Sequence, residues 1–325
     1  MASHPRIAVI GAGLAGIAFA RHLHDRGFQA VIFEKSRGWG GRCATRQWEG
    51  NTIDHGAQYF TLRDEAFRTT VQSACGSSLR IIEAPILSQS GEELPGDPRY
   101  YHEHGNNRLA RDLSIGLRIY LECPIGLLHR GVDGWDVAGQ SFDHVISTAP
   151  LPQSLNLAGL PASAPMVPCL TAVFRYTGHW PGITRSAYAF SDHSGHLLAW
   201  TACENHKVGR ITPGHTVLIA QASASFSLTY MESDPSRWVS LLQEAVETRW
   251  HLSAETRDGS WTHRWRYARI GQPISLPAWP EGFVYTGDAL TQSRVESAWL
   301  AGWQSAEKFL TEHKLKTHHQ SGCHP

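Results

Sequence analysis

Glycines occupy positions 11, 13 and 16, and an acid, Glu34, follows a little over twenty positions after the first of them. That spacing suits a nucleotide held through its phosphates and its sugar. Gly11 allows a tight turn, Gly13 lets a pyrophosphate approach the backbone, and Gly16 lets a helix lie close on the preceding strand. Ala12, Leu14 and Ala15 fill the rest of the turn. The helix that opens there turns free N–H groups and a partial positive charge toward the anion. Glu34 can accept both ribose hydroxyls of an adenosine. The glycines alone would also suit a tight turn in an ordinary α/β domain, so the reading depends on the elements around them.

Those elements are present. Arg6–Ile10 is a short apolar run bounded by glycine, which suits a buried parallel strand. Leu14, Ile17, Ala18 and Leu23 give the next helix an apolar face, and Gln29–Phe33 is a second apolar strand ending at Glu34. A second glycine pair follows within Ser36-Arg37-Gly38-Trp39-Gly40-Gly41-Arg42. A single nucleotide needs nothing of this kind so near its ribose acid, whereas a cofactor with a larger body does. Gly40 and Gly41 permit close approach, and Arg42 offers a forked set of donors to phosphate. By itself this stretch would also suit a surface loop.

Near the other end, Gly282–Thr286 reads as a strand closing in Gly287-Asp288. Ser293 and Glu296 have capping-box spacing, which predicts Ser293 as N-cap of the last helix. Val295, Ala298, Trp299, Gly302, Ala306, Phe309 and Leu310 recur at helical intervals and predict its buried face. Its N-terminus would favour the negative charge that a reduced flavin develops, and Asp288 would meet ribityl hydroxyls. A simple strand–turn–helix fits the same residues.

Composition excludes other classes. Lysine plus arginine and aspartate plus glutamate each number 29 in 325 residues, so no strong field favours nucleic acid or anionic lipid. The basic, aromatic run His263–Arg269 reads as a structural strand. Six cysteines (Cys43, Cys75, Cys123, Cys169, Cys203 and Cys323) are scattered without a CxxC pair, which suits reduced thiols. The apolar stretch Ile7–Ala20 carries the glycine motif, is too short for a bilayer span and has no cleavage-site pattern. A soluble cytoplasmic protein without membrane or nucleic-acid partners is expected. His102-Glu103-His104 and the tail histidines His313, His318, His319 and His324 lack HExxH spacing and a cysteine partner, so no metal is expected. No Ser-His-Asp order or metal triad emerges, and the catalytic residue is unassigned.

The combination resembles the glutathione-reductase-like FAD fold of the amine oxidase, protoporphyrinogen oxidase and phytoene desaturase group. Within it, "FEKSRGWGGRCATR", "DHGAQYFTLRDEAF", "HRWRYAR" and "TGDALTQSRVESAWLAG" look like renalase and its bacterial relatives. The similarity is strong at both ends and weak in the middle; "DHGAQYFT" (Asp54–Thr61) is its most specific piece. The resemblance implies non-covalent FAD held by Gly11, Ala12, Gly13, Leu14, Ala15, Gly16, Glu34, Lys35, Gly41, Arg42, Ala57 and Gln58. It adds Asp288, Arg294, Val295 and Glu296, and places Tyr59, Phe60 and Thr61 beside the isoalloxazine ring. Ile125, in the strand-like segment Ile119–Leu128, matches the position whose backbone holds the adenine. The chain departs from the family at Gly105–Leu109 and at Ala289, where a tryptophan is usual.

For renalase-like enzymes the resemblance further implies oxidation of 2- and 6-dihydro isomers of NAD(P) to NAD(P)+, with oxygen becoming hydrogen peroxide. Such a donor needs a stacking surface, for which Tyr59, Trp200, Trp265 and Tyr267 are candidates. It also needs polar or cationic groups for its phosphates, for which Asn205, His206, Lys207, Arg210 and Arg264 are candidates. An amine or amino-acid oxidase, and a flavin-binding protein without turnover, are the alternatives.

Between about residues 150 and 280 the pattern changes. Leu170–Thr177, Ala187–Phe190, Leu197–Glu204, Thr216–Ser225 and Thr262–Arg269 read as strands. One helix interrupts them, with Asp234 as cap, Pro235 at its first position, and Trp238, Leu241, Leu242, Ala245 and Val246 following. The expected fold is therefore α/β: a Rossmann-like FAD-binding domain plus a second, α+β substrate domain with a mostly antiparallel sheet. The expected cofactor domain is discontinuous, at 1–75, 105–155 and 275–312. The substrate domain takes 76–104 and 156–274, and 313–325 is a flexible tail.

Overall fold

The computed structural model of the protein describes residues 4–162, 165–178, 186–192, 196–272 and 275–315; His318, His319, Cys323 and His324 lie outside them. Two sheets organise the chain. The first is parallel and five-stranded, in the order Phe283–Tyr285, His144–Ser147, Ile7–Ile10, Ala30–Phe33, Arg118–Tyr120. Its strands read as continuous apolar runs because both faces are covered. On one face, Val9, Ile32 and Ile146 pack with the helices Leu14–His24 and Val295–Glu312. On the other, Ala8, Phe33 and Val145 meet Trp135, Val137 and Phe142 from a small antiparallel sheet.

The two helices approach through glycine. A Cβ on Gly302 would lie 2.0 Å from the carbonyl oxygen of Ala15, and one on Gly16 would lie 2.1 Å from that of Gly11. Neither distance is open to another residue. Gly16 thus has the packing role its place in the motif predicts.

The second sheet has seven strands, in the order Arg257–Ile270, Met166–Thr177, His215–Ala222, Leu198–Cys203, Ala189–Ser191, Ile86–Ser88, Glu93–Leu94. All neighbours are antiparallel except Ala189–Ser191 beside Ile86–Ser88. Leu170, Phe174, Leu218 and Ala220 turn one face toward Trp238, Leu242, Val246 and Trp250. The opposite face is the one that matters for the site.

Three sequence expectations need correction. The strand expected at Ile119–Leu128 is only Arg118–Tyr120. Beyond it, the Glu122 and Cys123 N–H groups donate to Ser36 and Glu34 carbonyls instead of a ladder, so Ile125 sits in a loop. The expected run Thr216–Ser225 ends at Ala222, and Ser223 caps a further helix, Ala224–Tyr230, by accepting from the Phe226 N–H. Asp234 and Pro235 open a 3₁₀ turn, with the helix proper at Val239–Trp250 and Leu241 on its exposed side. No helix among the described residues is long and apolar enough to cross a membrane.

Candidate functional site

The two glycine loops touch. Gly40 donates its N–H to the Ala12 carbonyl at 2.9 Å, and a Cβ on Gly41 would lie 3.5 Å from the Gly13 Cα. Gly13 is the N-cap of the first helix, and a Cβ there would meet no protein atom within 4 Å. The helix N-terminus therefore opens onto free space, as an anion site requires. Leu14 and Ala15 lie behind it, buried in the core.

Glu34 marks one end of this cradle. It is buried, with Oε2 accepting from the Ala12 N–H and Oε1 from the Ser36 N–H, both at 2.8 Å. The acid orders both loops, and each oxygen keeps a further lone pair for a ribose hydroxyl. Lys35 is exposed beside it.

Arg42 marks the other end. Its guanidinium grips both oxygens of Asp288, at 2.7 and 2.5 Å, and donates to the Ala268 carbonyl at 3.0 Å. The sequence suggested separate phosphate and ribityl partners for these two residues; the fold binds them to each other.

The last helix begins differently from its motif. Arg294, not Ser293, occupies the N-cap position. The Ser293 hydroxyl accepts from the Ile270 N–H at 2.9 Å, which removes it from a capping box. Glu296 accepts from the N–H groups of Arg63 and Asp64, at 2.6 and 2.7 Å, and from the Thr61 hydroxyl at 3.3 Å. It fastens the Thr61–Asp64 turn to this helix, with Arg294 also donating to Thr61 at 3.3 Å. Val295 packs on the first core.

Between these ends, Asp54–Thr61 is laid on the face of the seven-stranded sheet away from its helices. Three strands hold it: Trp265 donates to the His55 carbonyl at 3.1 Å, Gln221 to the Gly56 carbonyl at 3.2 Å, and Trp200 to Gln58 Oε1 at 2.8 Å. Ala57 donates its N–H to the Arg42 carbonyl at 2.9 Å. An indole N–H can only donate, so Trp200 fixes the Gln58 amide with its oxygen inward. Gln58 Nε2 is buried and has no protein partner. The Tyr59 ring centre lies 5.9 Å from Trp200 and 6.4 Å from Tyr188. Phe60 instead turns into the core beneath.

Lys207 and Arg210, nominated for substrate phosphates, are already committed. Lys207 Nζ is 3.0 Å from Asp54 and 2.7 Å from Glu204, with all three side chains fully buried, and Arg210 pairs with Asp54 as well. Burial pushes the Asp54 carboxyl up, but Lys207, Arg210 and the Thr45 hydroxyl outweigh it and bring its pKa down to about 2. Burial dominates at Glu204 and raises its carboxyl from the ordinary value, against the pull of Lys207 and Arg210. No spacing rule links residue 54 to residues 204–210, so this cluster left no signal in the sequence pattern.

The remaining candidates separate. Asn205 clasps its own sheet, donating to the His215 carbonyl at 2.8 Å and accepting from the Val217 N–H at 3.0 Å. The His206 ring lies 6.3 Å from that of Tyr188. Arg264 is exposed and donates to the Ser233 carbonyl at 2.6 Å. Tyr267 is half-buried. Where the chain departs from the family pattern, Asn106 donates its N–H to Asp54 at 2.9 Å and its amide to the Ala57 carbonyl at 3.0 Å. Ala289 packs with Leu151, Leu155 and Tyr285.

The His102–His104 turn also differs from expectation. Glu103 binds Arg80 at 2.8 Å, while Cys75, His102 and Asp112 gather with their ligand atoms within 4.8 Å. The cysteine neighbour absent from the sequence pattern is thus present in space. His102 Nδ1 accepts the His104 N–H at 3.1 Å, so Nε2 carries the proton toward Asp112, 3.0 Å away. Both nitrogens are occupied, and burial pushes the Cys75 thiol up to about 12.

Residues 9–73 match the family described as an NAD(P)-binding Rossmann-like domain. The chain is 43% identical over 68 residues to the zeta-carotene-forming phytoene desaturase of Myxococcus xanthus, a match covering 21% of this chain and 13% of the desaturase. It spans only that small share of this curated relative. Over 95% of its length the fold is similar to a putative protoporphyrinogen oxidase from Exiguobacterium sp. 255-15, at 14% identity, 99% coverage of that chain and a TM-score of 0.74. It is also similar to a reduced UDP-galactopyranose mutase, at 11% identity, 95% and 96% coverage and a TM-score of 0.77. Residues 9–73 thus match an NAD(P)-binding Rossmann-like domain, this local stretch is similar in sequence to phytoene desaturases, and the fold of the chain is similar to those of a putative protoporphyrinogen oxidase and a cyclohexylamine oxidase.

Proposed function

We propose that the protein is an FAD-dependent oxidoreductase of the glutathione-reductase-like type, and that it oxidises 2- or 6-dihydro isomers of NAD(P). The observation that carries the cofactor is the open face at Gly13, where a Cβ would meet no protein atom, between Glu34 and the Arg42–Asp288 pair. Gly11–Gly16 would hold the pyrophosphate, Glu34 and Lys35 the adenosine, and the Ile125 backbone the adenine. Gly41, Arg42, Ala57, Gln58, Asp288 and Arg294–Glu296 would hold the flavin half, with Tyr59 beside the ring. Bound without a covalent link, FAD supplies a hydride acceptor that oxygen reoxidises, giving hydrogen peroxide.

The chain's own residues orient and exclude water. The sheet bearing Trp200, Gln221 and Trp265 roofs the segment His55–Gln58, consistent with the division into a discontinuous cofactor domain and a substrate domain. The donor reading rests on the renalase-like "DHGAQYFT". Burial raises the Tyr188 hydroxyl well above its ordinary range, so it stays protonated. A dihydronicotinamide carries its driving force in the ring and needs no strong base, whereas an amine must lose a proton first.

Purified protein should be yellow and release FAD, not FMN, on denaturation. Anaerobic stopped-flow mixing should then show faster flavin bleaching by a 2- or 6-dihydro isomer than by NADH or amines, with peroxide on admitting air. The second reading, an amine oxidase, is favoured by the aromatic group Tyr59, Tyr188 and Trp200, whose centres lie 5.9–6.4 Å apart. Rapid bleaching by a primary amine, with none by the nicotinamide isomers, would select it.

A further inference from the structure

With Lys207 and Arg210 buried in ion pairs, the cations that could meet a substrate phosphate must lie elsewhere. A cavity of about 540 Å³ is lined by Arg37, Thr45, Arg46, Gln47 and His55. No carboxylate lines it. Arg37 and Arg46 are exposed, and neither forms an ion pair among the described residues. Arg46 lies over the Trp261 ring at 4.6 Å, which holds its planar fork in one orientation and leaves the N–H edge available.

The floor is equally defined. The His55 ring stacks on Trp265 at 5.5 Å and meets Trp261 and His263 edge-on at 5.1 and 4.9 Å. It is 8% exposed, and its Nδ1 has no hydrogen-bond partner. Burial, and then the His263 ring, bring its pKa down to about 4, so at neutral pH the ring has one donor and one acceptor. Gln58 lies three positions beyond His55, on the order of 10 Å of extended chain. The cavity and the flavin side of the segment are therefore within the reach of one nucleotide.

We propose that this cavity is a phosphate-binding subsite for the dinucleotide substrate, with Arg37 and Arg46 meeting the phosphate charge over the floor that the His55 ring forms. The inference rests on the dihydronicotinamide reading above. It is distinct from the FAD pyrophosphate cradle, which opens at Gly13 on the first helix.

The test uses the FAD-loaded protein with Arg37→Gln, Arg46→Gln and the double substitution, beside Arg37→Lys and Arg46→Lys. Flavin reduction is followed against concentration for a 6-dihydro dinucleotide and for the matching dihydronicotinamide riboside, which lacks phosphate. The double glutamine variant should keep its FAD, need at least tenfold more dinucleotide for half-maximal reduction, reach the same limiting rate, and treat the riboside as the parent does. The lysine variants should recover part of the loss. An unchanged dinucleotide response, or equal losses for both donors, overturns the proposal. Loss of FAD from the variants also overturns it, since the cavity would then serve the cofactor. If no dihydronicotinamide reduces the flavin, the functional reading fails, and ADP and inorganic pyrophosphate titrated by calorimetry still decide the cavity. Binding to the parent that the double variant loses supports it, and no binding to the parent sinks it.

Discussion

Arg42 and Asp288 stand 246 positions apart, and two hydrogen bonds of 2.7 and 2.5 Å join their side chains. The pair joins the loop after the strand Ala30–Phe33 to the turn after the strand Phe283–Tyr285. It also fixes the guanidinium, which a third bond to the Ala268 carbonyl holds as well. We expect Asp288→Asn to weaken FAD binding 10- to 100-fold, corresponding to about 1.5–3 kcal/mol for a charge-assisted bond. Arg42→Met and Asp288→Asn should be non-additive in FAD affinity. Strict additivity would show that the two act on the cofactor independently.

Glu34→Ala should release FAD far more readily than it unfolds the protein. The carboxylate holds two backbone N–H groups at 2.8 Å, and under the proposed function its remaining lone pairs would meet the ribose. Equilibrium dialysis of FAD beside a urea unfolding curve separates the two effects. Full FAD affinity in the variant would mean the acid only orders the loops.

The buried cluster predicts stability and its pH dependence. Lys207→Met leaves Asp54 and Glu204 with less compensation in a fully buried site and should cost about 3–5 kcal/mol. Asp54, brought down to about 2, lies below its unfolded value of about 3.9. Its contribution is complete above that unfolded value and is lost as pH falls through the folded one. Glu204, raised by burial, has the opposite sign: protonation favours the fold. Glu204→Gln should therefore cost less than Asp54→Asn in urea unfolding at pH 7, and the reverse order would refute the assignment.

Trp200→Phe should leave the fold and FAD content intact while slowing flavin reduction. Without the indole N–H the Gln58 amide is free to rotate, and its unpartnered Nε2 loses its fixed direction. Gln58→Ala should lower the limiting rate similarly, with the double variant no worse than either single one. A rate untouched by Gln58→Ala, with Trp200→Phe changing only the half-saturating donor concentration, would reduce Trp200 to a stacking surface.

The first strand–helix–strand unit was legible in the sequence because its determinants are local. Gly11, Gly13, Gly16 and Glu34 sit on one strand–helix–strand unit, where spacing alone fixes which backbone groups meet. The middle strands were legible for the same reason, through β-branched and aromatic runs. Contacts between distant segments were not. Ser293 and Glu296 have capping-box spacing, yet one binds Ile270 and the other the Arg63–Asp64 backbone. Hydrogen-bond spacing says only what a side chain can reach on its own helix, and tertiary packing offered both residues buried donors instead. Lys207 and Arg210 looked like free cations, but Asp54 meets them across some 150 positions. His55 looked like one more polar residue in a motif until Trp261, His263 and Trp265 enclosed it. Sequence pattern determined the elements and the glycine turn between the first strand and helix. Which charges remain free for a ligand was decided only when the fold paired the others, because a charge taken from water must find its partner wherever the chain has brought one.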